Sequence, residues 1–281
     1  MFVLQKKGET KMKKIIILIA ILTLVILPAF ARKGNKITIA GSTTVLPIAQ
    51  ATAEVFMDNN PEINISVRGG GSSVGVAGIM AGTVDIGDAS RHIKTKELAS
   101  AREKGINPYE NVVANDAIAI VVHKNNTVED LTLEQINDIY TGKISNWKEV
   151  GGPSLPIVVI SRDVSSGTFE VFNSLVLKHA KAISGALMLA SNNAVVSTIA
   201  TTPGAIGYAG LGYVNETVNT VKVNGIAASK QTVQNKSYPI ARTLHMYTNG
   251  APKGLVKKYI DFILSDEGQK IVEEQGFISV Q

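Results

Sequence analysis

The chain has 281 residues, contains no cysteine and carries a formal net charge of +5. Without cysteine it holds no disulfide, no thiolate metal ligand and no lipid-modified cysteine anchor. The first 31 residues hold five of the 28 basic residues and one of the 23 acidic residues. The remainder is therefore close to neutral, which excludes the basic surface expected of a nucleic-acid-binding protein.

The N-terminal segment has the pattern of a secretory signal peptide. Five lysines precede an apolar run over residues 15–27, which is shorter than the roughly 20 residues of a membrane-spanning helix. Ala29-Phe30-Ala31 then matches an A-x-A cleavage signature. We predict a signal peptide over residues 1–31, cleaved after Ala31, and export to the periplasm or another extracytoplasmic space; an uncleaved N-terminal anchor is the alternative.

Strand and helix patterns alternate after this segment. "KITIAGS", "INISVRGGGSS" and "VDIGDAS" predict strands, and "PIAQATAEVFMDNN" and "VGVAGIMAG" predict the helices between them. "AIAIVVH", "LPIVVIS" and "GAIGYAGLGYV" predict further strands, and "LTLEQINDIYTG" and "SSGTFEVFNSLVL" predict helices. The C-terminal part predicts one amphipathic helix with Leu255, Tyr259, Phe262 and Ile263 on one face. This alternation indicates an α/β protein with parallel strands.

Three turns rich in glycine and hydroxyl side chains each follow a predicted strand and precede a helix. They are "GSTTV" at 41–45, "GGGSS" at 69–73 and "VSSGT" at 164–168. Helix starts leave backbone N–H groups unpaired and carry partial positive charge, so converging starts bind anions. One such turn is usually an ordinary helix cap or loop. Three, with the forked guanidinium of Arg162 as the only fixed charge beside them, favour an oxyanion site.

An enzymatic alternative depends on "GSSVG" at 71–75, which matches G-x-S-x-G with Ser73 as the nucleophile. This would make the protein a secreted serine hydrolase, but no histidine stands in a context that identifies it as the base. A Walker A loop is absent. The four histidines show no i, i+4 pairing, so we predict no metal site and no cofactor.

Taken together, "GSTTVLPIAQ", "GGGSSVGVAGIMAGTVDIGDASR", "DAIAIVVHKNN", "LTLEQINDIYTGKISNWKEVGG", "SRDVSSGTFEVF" and "GAIGYAGLGYV" resemble the phosphate-binding proteins of ABC-type phosphate uptake. The resemblance covers nearly the whole mature chain in the same order. It implies an α/β, two-lobed periplasmic-binding-protein (type II) fold with phosphate clamped in the cleft between the lobes. It also implies a non-enzymatic protein that delivers inorganic phosphate to an ABC-type permease, and we expect a monomer.

The resemblance also implies a division into lobes. We predict lobe 1 from residues 32–114 together with 244–281, and lobe 2 from residues 115–243. Two crossing strands, near 113–116 and 238–244, would join the lobes and act as the hinge.

The family motifs imply the ligand-binding residues. These are Thr43, Thr44, Val45, Ser72, Ser90, Arg162, Ser166, Gly167 and Thr168. One departs from the family: long-chain members read "DFGASDA", whose last Asp accepts the proton of the bound phosphate. Here "DIGDASRHI" places Ser90 at that position and moves the acid to Asp88. Phosphate remains the predicted ligand, with sulfate or molybdate as the alternatives.

Overall fold

The computed structural model describes residues 34–281. Residues 37–281 form one compact unit. The predicted signal peptide and its cleavage site lie outside the described residues. Among the helices of the described part, none has the length and apolar character needed to cross a bilayer.

A sheet of ten strands organises the molecule. The strands are β1 (Lys36–Gly41), β2 (Asn64–Gly69), β3 (Ile86–Ala89), β4 (Pro108–His123), β5 (Asp130–Leu131), β6 (Val158–Arg162), β7 (Leu187–Leu189), β8 (Ala205–Gly210), β9 (Val218–Val223) and β10 (Ala241–Asn249). Their order across the sheet is β2-β1-β3-β10-β4-β8-β6-β7, and β9 pairs with both β4 and β5.

The α-helices lie between these strands. They are α1 (Leu46–Asp58), α2 (Ser72–Ala81), α3 (Thr95–Glu103), α4 (Leu133–Thr141), α5 (Gly167–Phe172), α6 (Asn192–Thr201), α7 (Lys230–Gln234), α8 (Gly254–Ile263) and α9 (Asp266–Glu274). The chain continues from α5 through a π-helical turn, Asn173–Leu177, and 3-10 turns occur at Trp147–Val150 and Leu211–Tyr213.

The sheet is mixed rather than parallel throughout. The predicted parallel pairing holds for β1 with β3, for β6 with β8 and for β6 with β7. It is wrong for β4, which pairs antiparallel with β10, β8 and β9. The 16 residues of β4 extend well before the predicted "AIAIVVH" strand. Its first half pairs with β10 and its second half with β8, so one strand runs through both halves of the sheet.

Apolar side chains pack on both halves of the sheet in separate clusters. In the first half, α1, α8 and α9 cover β1 and β3 around Ile39, Ile86 and Tyr259. In the second half, α4 and α5 cover one face around Phe172 and Tyr208, whose rings stack with centroids 3.9 Å apart. Helix α6 covers the opposite face. This separation of the cores supports the predicted division into lobes, whose boundaries and hinge remain predictions.

The single tryptophan belongs to the core of the second half. Trp147 is completely buried, and its indole Nε1 donates to the carbonyl oxygen of Gly204 at 2.9 Å. A buried indole N–H needs such an acceptor. The contact therefore makes Trp147 a packing residue.

The C-terminal region forms two helices where the sequence predicts one. Helix α8 ends at Ile263, and Ser265 starts α9 by accepting a hydrogen bond from the backbone N–H of Gly268 at 3.3 Å. Serine is one of the residues preferred at the N-cap of a helix, which explains why a new helix starts here. On the predicted apolar face Tyr259 and Ile263 are completely buried, and Leu255 and Phe262 pack against the same core while partly exposed.

Asp88 is an unusual member of the first core. It lies on β3 with 1% of its surface exposed, and neither carboxylate oxygen has a hydrogen-bond partner among residues 34–281. Burial raises the pKa of Asp88 well above its usual value. Burial raises the pKa of the Tyr259 phenol, and the charge of Asp88 adds to that rise. The folded protein therefore favours the protonated form of Asp88.

We predict that Asp88→Asn removes a pH-dependent loss of stability. Because the pKa of Asp88 is raised on folding, the contribution of its protonated form to the free energy of unfolding is fully present below the unfolded-state pKa of about 3.9. That contribution is lost as pH rises towards the folded-state pKa. Between about pH 4 and pH 7 the wild type should therefore lose stability relative to Asp88→Asn. Urea unfolding at several pH values measures this, with the exposed Asp261→Asn as the control. Parallel curves for Asp88→Asn and the wild type would contradict the prediction.

Candidate functional site

The nine residues carried over by motif are all buried, and side chains from the three predicted turns contact one another. Thr44 of the first turn lies with its Oγ1 3.1 Å from Thr168 Oγ1 of the third. Ser72 of the second turn lies with its Oγ 3.3 Å from Ser90 Oγ and accepts a hydrogen bond from the backbone N–H of Ser90 at 3.0 Å. Turns separated by more than a hundred residues therefore meet in one cluster of hydroxyl groups.

Glycine at position 167 permits this close approach. A Cβ atom there would lie 2.3 Å from Ser72 Oγ and 2.8 Å from Ser90 Oγ, well inside van der Waals contact. Any side chain at 167 would push the third turn away from the second. The glycine of the S-G-T motif therefore has a steric reason in this chain.

Two of the predicted residues lie at the starts of helices. Ser166 is the N-cap of α5, and its Oγ accepts a hydrogen bond from the N–H of Phe169 at 3.2 Å. Val45 precedes α1, where it makes no side-chain cap and packs its side chain in the first core. Any contact of Val45 with a ligand in the hydroxyl cluster would consequently be made by its backbone.

Arg162 ends β6 and turns its guanidinium into the cluster. Nη2 donates to Thr43 Oγ1 at 3.1 Å, and Nη1 donates to Asn192 Oδ1 at 3.1 Å. Nε and Nη2 also donate to the carbonyl oxygens of Leu189 and Ala190, at 3.0 and 2.9 Å. Arg162 is 1% exposed, and burial lowers the pKa of its guanidinium to about 10, so it is charged at neutral pH. All four of these acceptors are uncharged.

A second arginine enters the same cluster, so the expectation that Arg162 is the only fixed charge is wrong. Arg242 Nη1 donates to Thr168 Oγ1 at 3.0 Å, and its Nη2 donates to Thr44 Oγ1 at 3.3 Å. Unlike Arg162, it has a carboxylate partner. Nε and Nη2 donate to Asp116 Oδ2 at 3.0 and 2.8 Å. Complete burial raises the pKa of Asp116, although Arg242 acts to lower it.

Asn192 is another residue of the cluster that the motifs did not identify. Its Nδ2 donates to Thr44 Oγ1 at 2.9 Å, and its Oδ1 accepts from Arg162 and from the backbone N–H of Gly210 at 3.3 Å. Asn192 starts α6, which Ser191 caps. "SNNAV" is therefore a fourth strand-to-helix turn, and its capping pattern was the available signal. Arg242 lies within β10 and carries no comparable signal.

The structure separates the roles of Ser90 and Asp88. Ser90 contacts Ser72 in the cluster, and its carbonyl oxygen accepts from Arg242 at 3.3 Å. The carboxylate of Asp88 makes no hydrogen bond to the cluster. Of the two residues, Ser90 is therefore the one whose side chain hydrogen-bonds within the hydroxyl cluster.

The geometry does not support the hydrolase alternative. Ser73 Oγ accepts a hydrogen bond from Arg91 Nη2 at 3.3 Å and makes none with any of the histidines, all of which lie in the described part of the chain. The backbone N–H of Ser73 donates to the carbonyl oxygen of Ser165 at 3.1 Å. Ser73 thus lacks the general base that a nucleophilic serine needs.

These features define an α/β ligand-binding protein with a buried, positively charged cluster of donors. A family model described as a PBP superfamily domain matches residues 28–267. The phosphate-binding protein PstS of Bacillus subtilis is 35% identical over 251 residues, which are 89% of this chain and 82% of that protein. The PstS of Borreliella burgdorferi is 34% identical over 284 residues, covering 96% of this chain and all of that protein.

A solved structure gives the same result. An X-ray structure with bound phosphate, of a Clostridium perfringens protein assigned to the substrate-binding proteins of phosphate ABC transporters, is 40% identical with a TM-score of 0.82. The structural match covers 88% of this chain and 100% of the Clostridium perfringens chain. The chain therefore belongs to the PBP superfamily and, within it, to the family of the PstS phosphate-binding proteins. The family resemblance and the fold class predicted from the sequence are confirmed.

We predict that Asp116→Ala destabilises the protein by about 3–5 kcal/mol, because it leaves the buried Arg242 without its carboxylate. Replacing both partners with apolar residues, as in Asp116→Leu/Arg242→Met, should recover much of that loss. Urea unfolding measures both. Asp261→Ala, which removes an exposed ion pair with Lys257, is the control and should change stability little. A loss for Asp116→Ala no larger than for Asp261→Ala would contradict the prediction.

Proposed function

We propose that the protein captures inorganic phosphate and delivers it to an ABC-type permease. The observation that carries the proposal is Arg162, a buried guanidinium whose hydrogen-bond acceptors are all uncharged. Asp163, the next residue along the chain, attracts this charge but accepts none of its hydrogen bonds, and a bound anion would supply a charged hydrogen-bond partner. The hydroxyl groups around it are donors whose hydrogens can turn towards a ligand.

The chemistry of the cluster fits a tetrahedral oxyanion. A guanidinium presents parallel donors that match two oxygens of such an anion. Two carboxylates act on the two arginines: Asp116 accepts hydrogen bonds from Arg242, and Asp163 attracts Arg162 but accepts its own hydrogen bond from the backbone N–H of Ser165. A bound anion would therefore be the first charged acceptor of the Arg162 N–H groups. The names of the relatives, which are phosphate-binding proteins, favour phosphate among the oxyanions. A binding role of this kind needs neither a catalytic residue nor a cofactor.

The nine motif residues are the phosphate contacts in this proposal, and Asn192 and Arg242 join them. Thr43, Thr44, Ser72, Ser90, Ser166 and Thr168 would contribute hydroxyl groups, Val45 and Gly167 backbone N–H groups, and Arg162 the charge. Arg242 would contribute a charge partly offset by Asp116. Asn192 would hold Arg162 and Thr44 in register.

Capture would be accompanied by closure of the two predicted lobes about β4 and β10. Contacts between the halves support this part of the proposal. Glu170 of α5 forms ion pairs with Arg91 and Lys94, which follow β3. The carbonyl oxygen of Gly70 accepts from Ser165 Oγ at 3.3 Å. These contacts join the first half to the second and would break if the lobes moved apart. We also propose that the predicted signal peptide directs export of the protein and that the mature protein is a monomer.

Arg162→Ala is the direct test of the cluster. We predict a loss of phosphate affinity of at least about 2 kcal/mol, roughly 30-fold, because a desolvated anion would lose its charged partner. Arg162→Lys should recover only part, since an ammonium lacks the fork. Isothermal titration calorimetry with phosphate measures both. Arg68→Ala, at an exposed position on β2, is the control and should bind as the wild type does. Wild-type affinity in a folded Arg162→Ala would refute the assignment.

Selectivity tests the position of Ser90. A hydroxyl can donate and accept, so it penalises fully ionised sulfate less than a carboxylate would. We predict that the wild type prefers phosphate to sulfate and that Ser90→Asp widens this preference, because a carboxylate repels an unprotonated dianion. Paired titrations with both anions near neutral pH measure the ratio. Asp88→Asn is the control, because the carboxylate of Asp88 makes no hydrogen bond to the cluster.

Two outcomes would count against this reading of the selectivity. If Ser90→Asp binds sulfate as tightly as the wild type, Ser90 does not face the ligand. If Asp88→Asn changes the ratio of affinities instead, the acid of "DIGDASRHI" acts on the ligand in spite of its place in the core.

A further inference from the structure

A second group of polar side chains lies at the antiparallel pairing of β4 and β10. It consists of His92, which follows β3, Glu110 of β4 and His245 of β10. Glu110 Oε1 lies 2.9 Å from His92 Nδ1 and 3.1 Å from His245 Nδ1. The ligand-type atoms of all three residues lie within 4.8 Å of one another. None of the three hydrogen-bonds to a residue of the hydroxyl cluster.

His245 is the unusual member of this group. Its side chain is completely buried, yet Nδ1 has no hydrogen-bond partner within the described part of the chain. Its Nε2 lies 2.9 Å from Thr243 Oγ1. When Nε2–H donates to Thr243, Nδ1 presents a lone pair towards Glu110. In that tautomer a cation bound between Nδ1 and the Glu110 carboxylate would contact both atoms, which lie 3.1 Å apart.

The side chains in this group suit a metal ion. Glu110 supplies a carboxylate oxygen and the two histidines supply imidazole nitrogens, which are donor types that bind Zn²⁺. Metal-ligating histidines commonly donate their other ring N–H to a second residue, and Thr243 occupies that place.

We propose that His92, Glu110 and His245 form a binding site for a divalent transition-metal ion, best suited to Zn²⁺. Two imidazoles and one carboxylate are a common three-ligand set for zinc, with a water or other ligand in the fourth position. Ligand atoms bound tetrahedrally at about 2.0–2.1 Å lie roughly 3.3 Å apart, and the separations from Glu110 need little adjustment to reach this. His92 and His245 also line a groove of about 580 Å³, which gives the fourth ligand access.

Because the site depends on sheet register, sequence spacing does not reveal it. Glu110 lies directly opposite Tyr247 across the β4–β10 pair, and His245 lies two residues before Tyr247 on the same face of β10. The expectation of no metal site was based on the absence of i, i+4 histidine pairs. The proposed ligands instead come from three segments separated in sequence.

Calorimetric titration with ZnCl₂ tests the proposal on tag-free protein that has been stripped with a chelator and kept in a buffer without phosphate. We expect one saturable Zn²⁺ site per chain and a rise in melting temperature with Zn²⁺. His92→Ala and Glu110→Gln should each weaken binding at least about tenfold, the lower end of what perturbing a metal site costs. His179→Ala removes an exposed histidine outside the group and should bind Zn²⁺ as the wild type does.

Two further measurements make the test independent of folding. His92 is largely exposed, so His92→Ala should fold and bind phosphate with wild-type affinity. Co²⁺ added to the wild type should give visible absorption bands of a four-coordinate ion, and these should be absent in His92→Ala. The proposal is overturned if the wild type binds no Zn²⁺ stoichiometrically, or if His92→Ala and His179→Ala bind it equally well.

Discussion

Burying a guanidinium removes it from water at a large cost in free energy, and a protein usually offsets that cost with a carboxylate. Arg162 is held instead by carbonyl, amide and hydroxyl oxygens. These dipoles satisfy its N–H groups, while Asp163 attracts its charge without hydrogen-bonding to it. The arrangement of β6, the start of α6 and the first turn around Arg162 therefore buries a guanidinium whose hydrogen-bond acceptors are all neutral.

Arg242 shows the opposite solution to the same constraint. Asp116 accepts two of its hydrogen bonds, so this charge is compensated within the protein while the remaining N–H groups point to Thr44 and Thr168. One guanidinium bonded to a carboxylate and one bonded to neutral acceptors give the cluster many strong donors while leaving only one arginine without a carboxylate hydrogen bond.

Local chemistry determined which features the sequence could predict. The glycine- and hydroxyl-rich turns, most strands and the helix starts depend on residues close in the chain, and the structure contains them where they were expected. The place of Arg242 and the grouping of His92 with His245 depend on how β10 aligns with β4, which no short pattern encodes. The break at Ser265 arises because this serine caps a new helix, although the apolar pattern of the segment predicts one continuous helix. Asn192 was accessible in principle, because it starts a helix as the other turns do.

The burial of Trp147 determines what an optical experiment on this protein reports. It is the one tryptophan of the chain, and it is enclosed in the core of the second half, bonded to the backbone of Gly204. Its fluorescence emission is consequently set by packing around the indole rather than by the hydroxyl cluster. The intrinsic signal therefore follows the melting of one half of the molecule, and an extrinsic dye placed elsewhere is needed to watch ligand capture.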